Sequence, residues 1–237
     1  MSDPVLVACS HGTANPRGTA AVSRLADAVR EAAEVPVLEA YVDVHGPYVA
    51  DVVAAAEGNA VVVPLLLAAG YHVRVDIARA VAPWPAASVS QALGPDPRLT
   101  SLLLDRMAQA GVRPGDAVVL AAAGSSDDAA DASVRAAAHG LAHAWGASVT
   151  VAYGAARGPR VACEVARTRI AHSDRRVVLV SYLLATGHFH RRLLRTGADV
   201  VTAPLLDEGA PDPRLVELVL VRHAEAGRPV EPAVPTG

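Results

Sequence analysis

The stretch that decides the fold is "VVVPLLLAAGYHVRVDI", residues 61–77, because "VVLVSYLLATGHFHRRL" follows it at 177–193. Laid end on end, the two lie 116 positions apart and set His72 beside His188. Three further landmarks recur in the same order. "VLVACSHG" at 5–12 lies on "VVLAAAGS" at 118–125, "YVDVHGP" at 41–47 on "YGAARGP" at 153–159, and "GPDPRL" at 94–99 on "APDPRL" at 210–215. The offsets drift only between 112 and 116, which marks a duplicated unit.

Within each unit, short runs of Val and Leu alternate with amphipathic stretches of Ala, Arg, Asp and Glu, with Gly and Pro at the junctions. Strands that read as unbroken apolar runs are buried on both faces, as in parallel sheets joined by crossover helices. The expected fold class is therefore α/β, with two tandem, similar domains. Each has a mainly parallel four-stranded sheet flanked by helices. The expected divisions are 1–113, 114–227 and a tail at 228–237. An apolar content of 52% with only 3% aromatic residues means a core of Ala, Val and Leu, which suits small-faced helices on buried strands.

Charge and cysteine content narrow the function. The chain has 21 basic and 24 acidic residues and no basic run, which argues against a nucleic-acid partner. Cys9 and Cys163 lack CxxC spacing, so buried free thiols are expected rather than a disulfide or a thiolate metal site. "MSDPVLVACSHG" has no basic leader and too short an apolar run for a signal peptide, and no segment suffices to span a bilayer. The expected compartment is the cytoplasm, with no membrane contact.

"LVLVRHAEAG", residues 218–227, resembles the phosphohistidine motif of histidine phosphatases. The repeat argues otherwise. It lies on "LLLDRMAQAG" at 102–111, pairing Arg222 with Arg106 and His223 with Met107. Both segments follow an aspartate able to cap a helix, Asp96 or Asp212, and both end at a glycine. His223 is therefore expected on a helix near solvent, and not as a nucleophile.

In a parallel sheet, the carboxyl ends of the strands converge on one edge, where ligands bind. His11 ends the first strand, Asp43 and His45 end the second, and His72 follows the third. Two imidazoles and a carboxylate with open positions suit a borderline divalent ion such as Fe2+, Co2+, Ni2+ or Zn2+. In the second unit His11 falls on Gly124 and Asp43 on Ala155, while His188 remains, joined by His190. That asymmetry suits one active half and one supporting half.

Together, the strand ending in His-Gly, the "VPLLL" strand followed by a histidine and Asp-Ile, and the later "GSSD" and "YLLATG" resemble the sirohydrochlorin chelatases of the SirB/CbiX type. These are class II chelatases, here in a long two-half form, and the resemblance spans about residues 5–222. It implies a lyase that inserts Fe2+ or Co2+ into a sirohydrochlorin-like tetrapyrrole on the way to sirohaem or cobalamin. The metal, which could also be Ni2+, would be a substrate, and no organic cofactor is expected. The resemblance also implies that His11 and His72 are the metal-site histidines. Where the family typically has Glu at the end of the second strand this chain has Asp43, shorter by one methylene, which leaves His45 as a substitute.

The chemistry fits those residue types. Neutral imidazoles hold borderline cations without neutralising them and accept protons near neutral pH, as metallation requires. The macrocycle's carboxylates need donors, and Arg17, Arg74, His45, His188 and His190 are the candidates around a cleft between the halves. A monomer with pseudo-dimeric halves is expected. The competing expectation is a protein that binds or delivers metal or tetrapyrrole without catalysis.

Overall fold

A computed structural model describes residues 3–68, 70, 72–155 and 158–227, and for residues 72–74 the backbone alone. β1 (Val5–Ser10), β2 (Val37–Tyr41), β3 (Ala60–Pro64) and β4 (Ser88–Val89) form one sheet in the order β2-β1-β3-β4. β5 (Ala117–Ala122), β6 (Val149–Tyr153), β7 (Val177–Tyr182) and β8 (Val200–Val201) form a second in the order β6-β5-β7-β8. Every pairing is parallel, as the unbroken apolar runs predict.

The helices begin where the sequence supplies caps. α1 (Pro16–Ala32) starts behind Asn15, whose side chain accepts from the backbone N–H of Arg17 and Gly18. α4 (Pro97–Gln109) and α8 (Pro213–Ala226) share one device: Asp96 or Asp212 accepts from the N–H two residues on, and proline takes the first helical position. α5 (Asp128–Trp145) is capped by Asp127 and ends at Gly146 in the left-handed region. α2 (Val49–Ala55) and α6 (Val161–Ala171) cover the outer faces of the sheets. After β3 comes a π-helical turn, His72–Ile77, continued by α3 (Ala78–Val81); after β7 comes α7 (His188–Leu193).

Strand alternation sorts the core into layers. Leu6 and Ala8 of β1, with Val118 and Leu120 of β5, point inward to one continuous core shared with α1, α4, α5 and α8. Val7 and Cys9 face α2, and Val119 and Ala121 face α6. Burial pushes the Cys9 thiol up to about 12, so it stays protonated and inert. Cys163 does not follow the expectation: it lies exposed on α6, whose weak amphipathicity gave no hint of which side faces out.

The helix that ends each repeat crosses to the other sheet. α4 packs on β7 and α5, and α8 packs on β3 and α1. The paired arginines hold these crossings. Arg106 donates to the Leu205 carbonyl at 2.8 Å and pairs with Asp207 at 2.9 Å. Arg222 donates to the carbonyls of Ala92 at 3.0 Å and Leu93 at 3.3 Å. "LVLVRHAEAG" is thus helix α8, as the repeat predicts.

His223 is half-buried rather than near solvent, and its Nε2 donates to the Pro4 carbonyl at 3.1 Å. Burial lowers its pKa below the usual 6.5 despite that acceptor. The unfolded ring takes up its proton at about pH 6.5, the folded ring only below that. His223 therefore contributes stability above that pH which is lost as the pH falls through its folded value. In chemical denaturation, His223→Gln should narrow the stability gap between pH 8 and pH 5. His190, whose pKa is also lowered by burial, preserves part of that gap.

Candidate functional site

The carboxyl ends of both sheets face each other across a cavity of about 540 Å³. Its walls include His11 after β1, Leu67 and Gly70 after β3, Ser125 after β5, Tyr153 at the end of β6 and Phe189 on α7. The halves touch reciprocally around it. A Cβ on Gly70 would lie 3.4 Å from the Ser125 hydroxyl, and one on Gly18 would lie 2.4 Å from the Thr186 carbonyl oxygen. A second depression of about 780 Å³ runs along β6 between α5 and α6, away from these strand ends.

Of the predicted metal-site residues, His11 lines the cavity, half-buried. The second strand leaves its sheet against His11: Val42 N–H donates to Ser10 O at 2.9 Å and Asp43 N–H to His11 O at 3.1 Å. Asp43 itself is exposed, and its Oδ1 accepts from the Val44 N–H at 2.7 Å. Val44 has φ 72°, and His45 N–H donates to Asp43 O at 2.9 Å, which together make a strained γ-turn. The His45 ring rests on Tyr41 with centroids 4.1 Å apart. Its Nδ1 donates to Gly46 O at 3.2 Å, while Nε2 is buried without a partner among the described residues. Asp43 and His45 thus adjoin His11 through the backbone but do not line the cavity.

The side chains of His72 and Arg74 lie outside the described residues; the chain at His72 opens the π-helical turn, a rare element that recurs at functional sites. Among the described residues no group of three His, Cys, Asp or Glu side chains is arranged to hold a metal ion. Arg17 sits exposed at the start of α1 and pairs with Glu208 of the second half at 3.4 Å. His188 is exposed at the start of α7, edge-on to Phe189 with centroids 5.6 Å apart. His190 turns to the sheet, its Nε2 donating to Thr202 O at 3.3 Å.

Sheet register revises the alignment of the repeats. Leu6 pairs with Val37 and Val61, whereas Val118 pairs with Val149 and Val178. The counterpart of His11 is therefore Ala123 rather than Gly124, while Asp43 still falls on Ala155. Gly12 and Gly124 match: both have positive φ, 92° and 94°, and each would meet a carbonyl oxygen, of Asp43 or Ala155, if given a Cβ. After β3 the register sets Leu66 on Leu183, since Leu93 N–H donates to Leu66 O as Leu205 N–H does to Leu183 O.

Tyr182, which sequence reasoning quoted without a role, links the halves. Its hydroxyl donates to the Leu67 carbonyl at 2.9 Å, in a slot left open by Gly94. The scarcity of aromatics was the available signal: one Phe and five Tyr in the chain, of which Phe189, Tyr153 and Tyr182 line this cavity. Tyr182→Phe leaves a buried carbonyl unpaired and should lower stability by about 1–2 kcal/mol in chemical denaturation.

Two parallel four-stranded α/β units facing across a cleft make a chelatase-like α/β fold, the fold of SirB. Residues 5–110, most of the first half, match the CbiX family model. The chain superposes on SirB from Bacillus subtilis with Fe3+ at TM-score 0.76 and 20% identity, covering 93% of this chain and 94% of that one. It superposes on SirB from Bacillus subtilis subspecies spizizenii in complex with cobalt at TM-score 0.72 and 19% identity, covering 93% and 94%. CbiX, described as the terminal enzyme for biosynthesis of siroheme in denitrifying bacteria, matches at TM-score 0.60 and 20% identity, covering 92% and 98%. No curated protein matches the chain.

Proposed function

We propose that this protein is a sirohydrochlorin chelatase, a lyase that inserts Fe2+ or Co2+ into the tetrapyrrole in the cytoplasm. The observation that carries the proposal is His11, set at the end of β1 in the wall of a cleft between two chelatase-like units. The relatives that bind iron or cobalt support the choice of cargo. On this reading the first half, 1–113, is the active domain and the second half, 114–227, the supporting one.

His11 and His72 hold the ion on one face of the flat macrocycle and take up the two pyrrole N–H protons as four nitrogens replace them. Asp43 completes the ligand set or, being shorter than Glu, yields that place to His45. Arg17, Arg74 and His188 meet the macrocycle's carboxylates at the rim, and His190 supports α7 from behind.

Asp43's engagement with its own neighbour's N–H favours a second reading, a carrier that binds metal or tetrapyrrole without catalysis. Absorbance of sirohydrochlorin mixed with Co2+, with and without the protein, separates the two. Acceleration over the spontaneous rate is expected; tight binding with no acceleration would leave the carrier.

A further inference from the structure

We propose that His139 and His143 form an exchangeable binding site for borderline divalent cations on the outer flank of the second half. Both belong to α5, one turn apart, and both are exposed. Residues four apart on a helix stand on one face with Cβ atoms about 5–6 Å apart, and two histidines in that relation are a metal-chelating pair. Neither ring has a hydrogen bond, ion pair or ring contact among the described residues, so both ring nitrogens are available. The opposite face of α5 is committed: Val134, Ala137, Ala138 and Leu141 are buried, and a Cβ on Gly140 would lie 3.3 Å from the Thr100 hydroxyl of α4.

Two features favour a cation there. His143 falls in the last turn of an 18-residue helix, at the negative end of its dipole. One turn before His139, Arg135 bonds Asp131 at 2.7 Å and so leans away from the pair. No third His, Cys, Asp or Glu joins the pair among the described residues, so water completes the coordination and the ion exchanges freely. Imidazole suits Co2+, Ni2+, Cu2+ and Zn2+ rather than Mg2+ or Ca2+. The site is separate from the cleft: α5 lines the cleft at Ala130 and Val134, and His143 lies about 14 Å beyond Val134 along the axis. The inference does not depend on the chelatase reading.

Ni2+ alone tests it, in the full chain carrying His11→Ala and His72→Ala to silence the cleft. Equilibrium dialysis should find one Ni2+ per chain at this pair, quenching the fluorescence of Trp145, two residues beyond His143. Adding His143→Gln should abolish both signals, with an unchanged denaturation curve because the ring has no partner to lose. Adding Ala144→His to that variant restores the histidine count but rotates the second ring about 100° round the helix, and should not restore binding. Nickel binding and quenching that survive His143→Gln, or that return with Ala144→His, would overturn the site. So would the absence of nickel binding in the cleft-silenced chain.

Discussion

His11→Ala should bring cobalt insertion into sirohydrochlorin down to the spontaneous rate, a loss of about 100-fold or more, with little change in stability. The size follows from what the ring would do: it binds the ion and takes up protons, and a positioned base alone contributes about 10²–10⁴. The small structural cost follows from its place. His11 lies just beyond β1, and the bonds that tie this loop to the second strand use backbone groups that alanine retains. His223→Ala serves as the control: its ring, on α8, bonds to Pro4, and its loss should affect stability without touching the rate. If His11→Ala keeps the wild-type acceleration, the metal is handled elsewhere and the chelatase assignment of this cleft fails. Equal losses in both variants would point to a damaged fold.

The repeat made the fold legible because each unit spends its hydrophobic residues identically. Val5–Ser10 and Ala117–Ala122 read as buried strands for one reason, burial on both faces. What the repeat could not convey is that α4 and α8 exchange sheets. An amphipathic stripe such as Leu99, Leu102, Leu103 and Met107 demands burial but names no partner. Arg106 and Arg222, alike in both units, were its trace. The site was less legible, because single offsets average over insertions. From the carbonyl of Leu66 to the N–H of Ser90 the first unit has five more residues than the second has from Leu183 to Thr202. Those extra residues fall in the segment that carries His72 and its π-helical turn, where the halves differ most. Hydrogen-bond register, which is blind to loop length, fixes the match up to Leu66 and Leu183 and again from Ser90 and Thr202, while His72 and His188 lie in the stretch between.

Gly12→Ala should be among the most damaging single-methyl changes available to this chain. Gly12 has φ 92°, and an added Cβ would lie 2.3 Å from the Asp43 carbonyl oxygen and 3.2 Å from Val44 Cβ. The first cost is local: left-handed backbone disfavours any side chain by about 1 kcal/mol. The second comes from the contact, since a backbone oxygen cannot rotate away and the loops must separate, adding about 1–3 kcal/mol. Gly111→Ala isolates the first cost, because Gly111 has φ 67° and an added Cβ there would meet nothing within 4 Å. Chemical denaturation should place Gly111→Ala about 1 kcal/mol below wild type and Gly12→Ala about 2–4 kcal/mol below. Gly12 also sets the spacing between His11 and the Asp43 turn, so the metallation rate should fall further than the folded fraction does. Equal stability losses in the two variants would mean the loops yield easily; a rate that merely tracks the folded fraction would mean that the Asp43 turn takes no part in holding the ion.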